Sequence, residues 1–210
     1  MPDLTLVIGN KSYSSWSLRP WLALTVAGIP FDEVVVPLWQ DGSRAAVLAH
    51  SPAGKVPVLR HGDATVWESL AICAYVAELF PDRGLWPDDR AARALALSVS
   101  HEMHAGFQAL RQALPMNCRS RRAAGALTQK TAAGALTQKT AAGALTQNTA
   151  AGALTQKTAA GALTQNTAAG ALVEPVAADI ARIGALWADC RRRFGADGPF
   201  LFGRFGIADA

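Results

Sequence analysis

The chain has 210 residues, half of which are hydrophobic, and a formal net charge of +4; this size allows one or two compact domains with an apolar core. Its apolar runs are too short to span a bilayer, no secretory signal is expected at its N-terminus, and its three widely spaced cysteines indicate free thiols in a reducing compartment. Three lysines within a repetitive segment supply three of the four net positive charges, so the composition does not indicate a nucleic-acid-binding protein.

The first part of the chain alternates between strand-like and helix-like patterns. Short apolar runs bounded by turn residues predict four strands, and apolar residues at helical spacing predict three helices, the last of which is closed by Pro81. In chain order the prediction is a strand at 4–8, a helix at 14–28, a strand at 31–38, a helix at 44–49, strands at 55–59 and 64–67, and a helix at 69–80. This order predicts a four-stranded sheet with helices packed on it.

A nine-residue unit, Ala-Ala-Gly-Ala-Leu-Thr-Gln-Lys-Thr, is repeated through residues 123–172. Nine residues rotate a helix by about 900°, so successive leucines would lie on opposite sides of it, and an odd spacing changes the face of a strand as well. The pattern therefore predicts a low-complexity insert, with a solenoid or an ice-binding surface as the alternatives. Removal of five units joins Arg122 to Ala168 through a loop of ordinary length.

The segment SYSSWSLRP places Ser14 and Ser15 between a predicted strand and the start of a helix. The backbone amides and the helix dipole at such a position favour an anion, and a serine hydroxyl there can donate to a bound thiolate and lower its pKa. The alternative is that one serine only caps the helix.

Two further segments contain candidate binding groups. In GKVPVL, Pro57 cannot donate to a β-ladder, so it indicates either an edge strand or a cis bond that would leave the backbone of Val56 open to an extended peptide. In WESLAI, Glu68 and Ser69 stand at the start of a helix, where the amides and the Ser69 hydroxyl can bind a carboxylate and Glu68 can accept an ammonium. A helix cap alone is the alternative.

Together, the order and spacing of these motifs resemble the glutathione transferase family. SSWSLRPWLALTVAGI is similar to the serine motif of its zeta class, SPAGKVPVL to its NPxGKVPxL loop, and ESLAICAYVAELFP to its ESxAIxxYLxExFP helix. WPDDRAARALALSVSHEM, DIARIGALWADCRRRF and FLFGRFGIADA resemble parts of its all-α domain. The resemblance implies an α/β plus all-α fold: a thioredoxin-like domain at 1–82, then an incomplete all-helical domain at 87–210 that is interrupted by the repeat at 123–172.

The resemblance also implies where glutathione, γ-Glu-Cys-Gly, would bind. Ser14 would activate the thiol, with Ser15 beside it as the second candidate. Val56 would pair with the cysteinyl backbone beside a cis Pro57. Lys55 would lie near the glycine carboxylate.

At the other end of the peptide, Glu68 and Ser69 would hold the γ-glutamyl group by the same resemblance. Met103 and His104 either line the pocket of the second substrate or have a core or surface role. The implied protein is a cytoplasmic, homodimeric glutathione S-transferase that uses glutathione as co-substrate against a small electrophile, with no metal, nucleic acid or membrane among its partners.

Three features depart from the family pattern. Trp16 stands where the zeta motif has a cysteine, Gly206 stands where the family usually has Ser or Thr, and the sequence stops at Ala210, where family members continue. The expected consequence of the last feature is an exposed apolar face on the helix at 173–194. That face comprises Ile180, Ile183, Leu186 and Trp187. The alternatives to a transferase are a maleylacetoacetate isomerase-like enzyme and a non-catalytic or degraded glutathione-binding remnant.

Overall fold

The computed structural model of the chain describes residues 3–119 and 174–210. The predicted low-complexity insert at 123–172 lies outside these described residues. The chain divides into two compact units, one formed by Met1–Gly106 with Ala185–Ala210 and the other by Phe107–Gly184. The predicted domain limits, 1–82 and 87–210, stay predictions.

The first unit contains a four-stranded sheet with the strand order β2-β1-β3-β4. The strands are β1 Leu4–Ile8, β2 Asp32–Val35, β3 Val58–His61 and β4 Ala64–Trp67. β1 and β2 are parallel, whereas β3 is antiparallel to both β1 and β4. The predicted sheet is confirmed, but its third strand begins at Val58 instead of residue 55, because Pro57 has no N–H to donate to a neighbouring strand.

Four helices lie wholly within this unit. They are α1 Ser15–Val26, α2 Ser43–Leu48, α3 Ser69–Leu79 and α4 Arg90–Ala105, with short 3-10 turns at Pro81–Arg83 and Ile207–Asp209. α1 begins after Ser14, whose hydroxyl accepts from the Ser17 N–H, and α4 begins after Asp89, whose carboxylate accepts from the Ala92 N–H at 2.8 Å. Both are side-chain caps of the kind that helix N-termini favour.

Both faces of the sheet are covered. On one face, Leu6 and Ile8 of β1 belong to a buried cluster that includes Leu24 of α1 and Ile72 of α3. On the other face, Val7 packs with three further buried valines. These are Val36, Val47 and Val58. Full burial of each such side chain contributes about 1.5–3 kcal/mol, and burial on both faces explains why every residue of β1 except Thr5 is apolar.

The C-terminal segment of the first unit packs against the same buried cluster as Leu6 and Ile8 of β1. Ile207 is buried there with Leu85, and the Ile207 N–H donates to the Leu85 carbonyl at 2.9 Å. The carboxylate of Asp209 accepts from the N–H groups of Leu201 at 2.9 Å and of Gly206 at 3.0 Å. Gly206 has no side chain that could cap the Ile207–Asp209 turn, and its backbone N–H is bound by the Asp209 carboxylate instead.

In the second unit, the described residues are largely helical. α5 spans Gln108–Ala113, and the long helix α6, Glu174–Phe194, begins in this unit. The Leu110 N–H donates to the Asp179 carboxylate at 2.9 Å, and Val176 is buried against α5. These contacts join α5 to the start of α6.

The predicted apolar face of α6 is only partly covered in the structure. Ile183 and Leu186 are buried, whereas Ile180 and Trp187 are exposed. Within the two described ranges, no helix combines the length and the apolar character that a membrane crossing requires.

Candidate functional site

The predicted binding residues lie at one edge of the sheet. In the antiparallel pair of β1 and β3, Val7 is opposite Val58, so the chain after β1 and the chain before β3 lie at the same end. In the pair of β3 and β4, Val58 is opposite Trp67, so the residues before β3 and after β4 also lie side by side. The starts of α1 and α3 and the segment before β3 therefore meet at this edge.

At the start of α1, Ser14 is the N-cap and Ser15 is the first helical residue. Ser14 is buried; its Oγ lies 2.8 Å from the Ser17 Oγ and accepts from the Ser17 N–H at 3.4 Å. Ser15 is half-buried, and its hydroxyl has no hydrogen-bond partner among the described residues. The capping alternative is therefore realised by Ser14, and both hydroxyls lie where helix amides favour an anion.

At the start of α3, the chain presents a polar group that it does not satisfy itself. Ser69 is the first helical residue and is only 1% exposed, and its Oγ has no hydrogen-bond partner within the described chain. Buried hydroxyls are almost always paired, because an unpaired one costs about 1–3 kcal/mol. The free amides at the N-terminus of this helix also favour an anion, so a carboxylate bound here would satisfy both.

Glu68, directly before α3, has the unusual backbone angles φ 71° and ψ 127°. A positive φ costs a non-glycine residue of order 1–3 kcal/mol and is retained only where the surroundings impose it, often at binding sites. The Glu68 side chain is half-exposed, and its Oε2 lies 3.6 Å from Nε2 of His104 on α4. A carboxylate that can accept a cation is thus held beside the start of α3.

His104, for which the sequence left either a role in the pocket of the second substrate or a core or surface role, lies beside Trp16 and Glu68 in the structure. Its ring lies edge-to-face with Trp16 at 5.1 Å between centroids, and the Arg19 guanidinium lies 4.3 Å from the centroid of the same Trp16 ring. Trp16 follows the paired serines, so these contacts connect the start of α1 to α4 and, through Glu68, to α3. Helical periodicity alone gives no signal for a contact between residues so far apart in the chain.

The segment before β3 contains a cis peptide bond between Val56 and Pro57, so the cis alternative is confirmed. Within the described chain, neither the N–H nor the carbonyl of Val56 takes part in a hydrogen bond. The Lys55 N–H donates to the buried Ser51 Oγ at 3.2 Å, and Lys55 itself is exposed. The segment therefore offers one open backbone donor, one open acceptor and a nearby ammonium.

Cys73 on α3 does not supply a nucleophile to this edge. It is 1% exposed, and burial raises the pKa of its thiol to about 12, against the opposing effect of the Arg19 charge. A thiol that stays protonated is a poor nucleophile. Among the residues that the structure describes, no group of three His, Cys, Asp or Glu side chains is arranged to hold a metal ion.

Comparison with known proteins relates this edge to one family. Residues 13–79 match the family model described as glutathione S-transferase, N-terminal domain. Glutathione S-transferase 1 of Dianthus caryophyllus is 35% identical over 107 residues, which cover 50% of this chain and 48% of that protein. The probable maleylacetoacetate isomerase of Caenorhabditis elegans is 30% identical over 115 residues, which cover 55% and 53%. The chain spans about half the length of the curated relatives it matches.

Solved structures extend the likeness to the fold. A glutathione transferase homolog from Sulfitobacter, determined with bound glutathione, has a TM-score of 0.60 at 21% identity. The match covers 99% of this chain and 78% of the homolog. An epsilon-class glutathione S-transferase from the housefly, Musca domestica, has a TM-score of 0.59 at 16% identity and covers 99% and 73%. The predicted fold class, a thioredoxin-like domain followed by a helical region, is confirmed for the described residues.

Proposed function

We propose that the chain is a member of the glutathione S-transferase family, because residues 13–79 match the N-terminal domain of that family and the chain is 35% identical to one of its members over 107 residues, and that it binds glutathione and activates the thiol for transfer to a small electrophile. Glutathione carries an ammonium and a carboxylate at its γ-glutamyl end, a thiol in the middle and a second carboxylate at its glycine end. The edge of the sheet offers a group of suitable chemistry for each of them.

The observation that carries this proposal is the buried Ser69 hydroxyl, which has no partner within the described chain. The γ-glutamyl carboxylate accepts from this hydroxyl and from the first amides of α3, and the neighbouring ammonium binds to Glu68. Since a hydrogen bond to a charged group contributes about 1.5–3 kcal/mol, the γ-glutamyl end is the principal anchor of the peptide.

The middle of the peptide pairs with Val56, whose N–H and carbonyl are both open within the described chain. Two backbone hydrogen bonds of this kind fix an extended peptide without regard to its side chain. Lys55 is exposed and directly precedes Val56, so its ammonium is available to attract the glycine carboxylate. The thiol of the central cysteine is then directed toward the start of α1.

At the start of α1, Ser14 or Ser15 donates a hydrogen bond to the glutathione sulfur. A hydrogen bond to the charged form favours that form, so the thiol releases its proton to solvent more readily. The resulting thiolate uses its electron pair to form a bond with an electrophilic carbon, while the bond from that carbon to a leaving group breaks and the leaving group departs with its electron pair. One charge-assisted hydrogen bond, at about 1.5–3 kcal/mol, lowers the thiol pKa by about 1–2 units.

Calorimetric titration of the full chain tests the binding proposal. Glutathione should bind, and cysteinylglycine, which lacks the γ-glutamyl group, should bind at least tenfold more weakly. In parallel, the ultraviolet absorbance of the bound thiolate should fall in Ser14→Ala, in Ser15→Ala or in both. Equal affinity for the two peptides contradicts the anchor at α3, and unchanged thiolate absorbance in both serine variants contradicts the thiol assignment.

A glutathione-dependent isomerase is the second candidate, because several of the similar proteins carry the name maleylacetoacetate isomerase. An isomerase regenerates glutathione in each cycle, whereas a transferase consumes it. Loss of free thiol in proportion to product therefore favours the transferase, and turnover of maleylacetoacetate without loss of thiol favours the isomerase. Binding without either turnover identifies the glutathione-binding remnant.

We further propose that the protein is a cytoplasmic homodimer and that its domains are 1–82 and 87–210, with the insert at 123–172. These statements rest on the family alone. Light scattering of the purified chain tests the dimer, and limited proteolysis followed by mass spectrometry tests the domain limits.

A further inference from the structure

Ser17 occupies a position that no predicted role accounts for. It lies in the first turn of α1 and is 1% exposed. Its Oγ accepts from the Gly9 N–H at 3.0 Å and lies 2.8 Å from the Ser14 Oγ. The hydroxyl of Ser17 thus connects the residue that follows β1 with the serine proposed to face the thiol.

The direction of the hydrogen bond between the two hydroxyls decides what Ser14 can do. Either oxygen can donate to the other, because a hydroxyl hydrogen rotates to suit its partners. If Ser14 donates, the hydrogen of Ser17 is left in a buried position, where the described residues offer it no acceptor other than Ser14. An unpaired buried donor is costly, so an anion beside Ser14 favours the opposite direction.

We propose that Ser17 is a positioning residue that donates to the Ser14 oxygen and thereby directs the Ser14 hydrogen at the thiolate of bound glutathione. This inference rests on the proposed function. The series runs from the Gly9 N–H to Ser17, from Ser17 to Ser14 and from Ser14 to the sulfur. Each hydrogen bond polarises the next in a buried environment. No proton moves along the series, since the thiol proton leaves to solvent.

The series also distinguishes the two paired serines. Ser15 has no hydrogen-bond partner within the described chain, so no hydrogen bond from a neighbouring group polarises its hydroxyl. Ser14 accepts both from the Ser17 N–H and, in the proposed direction, from the Ser17 hydroxyl. Ser14 is therefore the residue that activates the thiol.

The test is a pH titration of the thiolate absorbance of glutathione bound to the full chain. In Ser17→Ala the acidity of the bound thiol should fall about two- to tenfold, which corresponds to one hydrogen bond of about 0.5–1.5 kcal/mol. The affinity for S-methylglutathione, which has no thiol to ionise, should change less than twofold. Ser17→Thr, which keeps the hydroxyl, should restore most of the acidity.

Ser100→Ala is the matched control, because Ser100 is another buried helical serine whose hydroxyl donates to a backbone carbonyl, that of Ala96 at 2.7 Å. It should leave the acidity of the bound thiol unchanged. The inference is overturned if Ser17→Ala leaves that acidity unchanged, or if it weakens S-methylglutathione to the same extent, which indicates a purely structural role. If the wild-type chain binds neither ligand, the proposed function itself is wrong.

Discussion

Ser69→Ala separates the stability of the ligand-free protein from its affinity for glutathione. The Ser69 hydroxyl is 1% exposed and unpaired within the described chain, so the folded state carries a desolvation cost of about 1–3 kcal/mol. Removal of the hydroxyl relieves this cost, and alanine is also the better helix former. The free energy of unfolding should therefore rise by about 1–3 kcal/mol, which raises Tm by roughly 2–4 °C or more.

The same change should weaken glutathione binding, because it removes a hydrogen bond to a charged carboxylate. A loss of about 1.5–3 kcal/mol corresponds to roughly a 10- to 150-fold increase in Kd. Denaturant titration and calorimetry measure the two effects. Ser51→Ala is the control: Ser51 is equally buried but accepts from the Lys55 N–H, so its loss should destabilise the protein. If Ser69→Ala is destabilised to the same extent, the reasoning about an unpaired hydroxyl is refuted.

Three further predictions concern other residues. Burial raises the pKa of Cys73 to about 12, above the roughly 8.5 of an unfolded chain, so the free energy of unfolding falls by up to about 1.4 kcal/mol per pH unit as pH rises between these values. In urea titrations from pH 8 to 10, Cys73→Ala should lose less of this free energy than the wild type, and an identical loss per pH unit contradicts the prediction. Asp209→Asn leaves one of two backbone N–H donors without an acceptor and should cost about 1–3 kcal/mol, whereas unchanged Tm contradicts the capping role. His104→Ala removes the partner that holds the Glu68 carboxylate beside the start of α3. It should therefore raise the Kd for glutathione about two- to fivefold, as expected for a partly exposed pair. His101→Ala, on the same helix, should leave this Kd unchanged.

The sheet could be predicted from sequence because its residues obey local rules. The apolar run of β1 requires burial on both faces, and the structure provides it with Val7 on one side and Leu6 on the other. The third strand begins later than predicted, because a run of apolar residues does not show where the hydrogen bonds of a strand begin. Pro57 has no N–H to donate, and the strand starts directly after it.

The site was less accessible to prediction because its chemistry depends on burial and on contacts between distant segments. The motifs identified the serines, but only the packing shows that Ser14 is engaged by Ser17 while the Ser69 hydroxyl is unpaired among the described residues. The sequence gives no sign of the positive φ of Glu68, because glutamate rarely adopts a positive φ. The contact of His104 with Glu68 depends on how α4 packs beside α3.

A crystal structure of the full chain with glutathione tests the proposed binding site most directly. The γ-glutamyl carboxylate should lie within hydrogen-bond distance of the Ser69 hydroxyl and of the first amides of α3, the ammonium beside Glu68, and the sulfur within reach of Ser14. Glutathione bound elsewhere, or bound here in the reverse direction with its glycine carboxylate at Ser69, would contradict the proposed site.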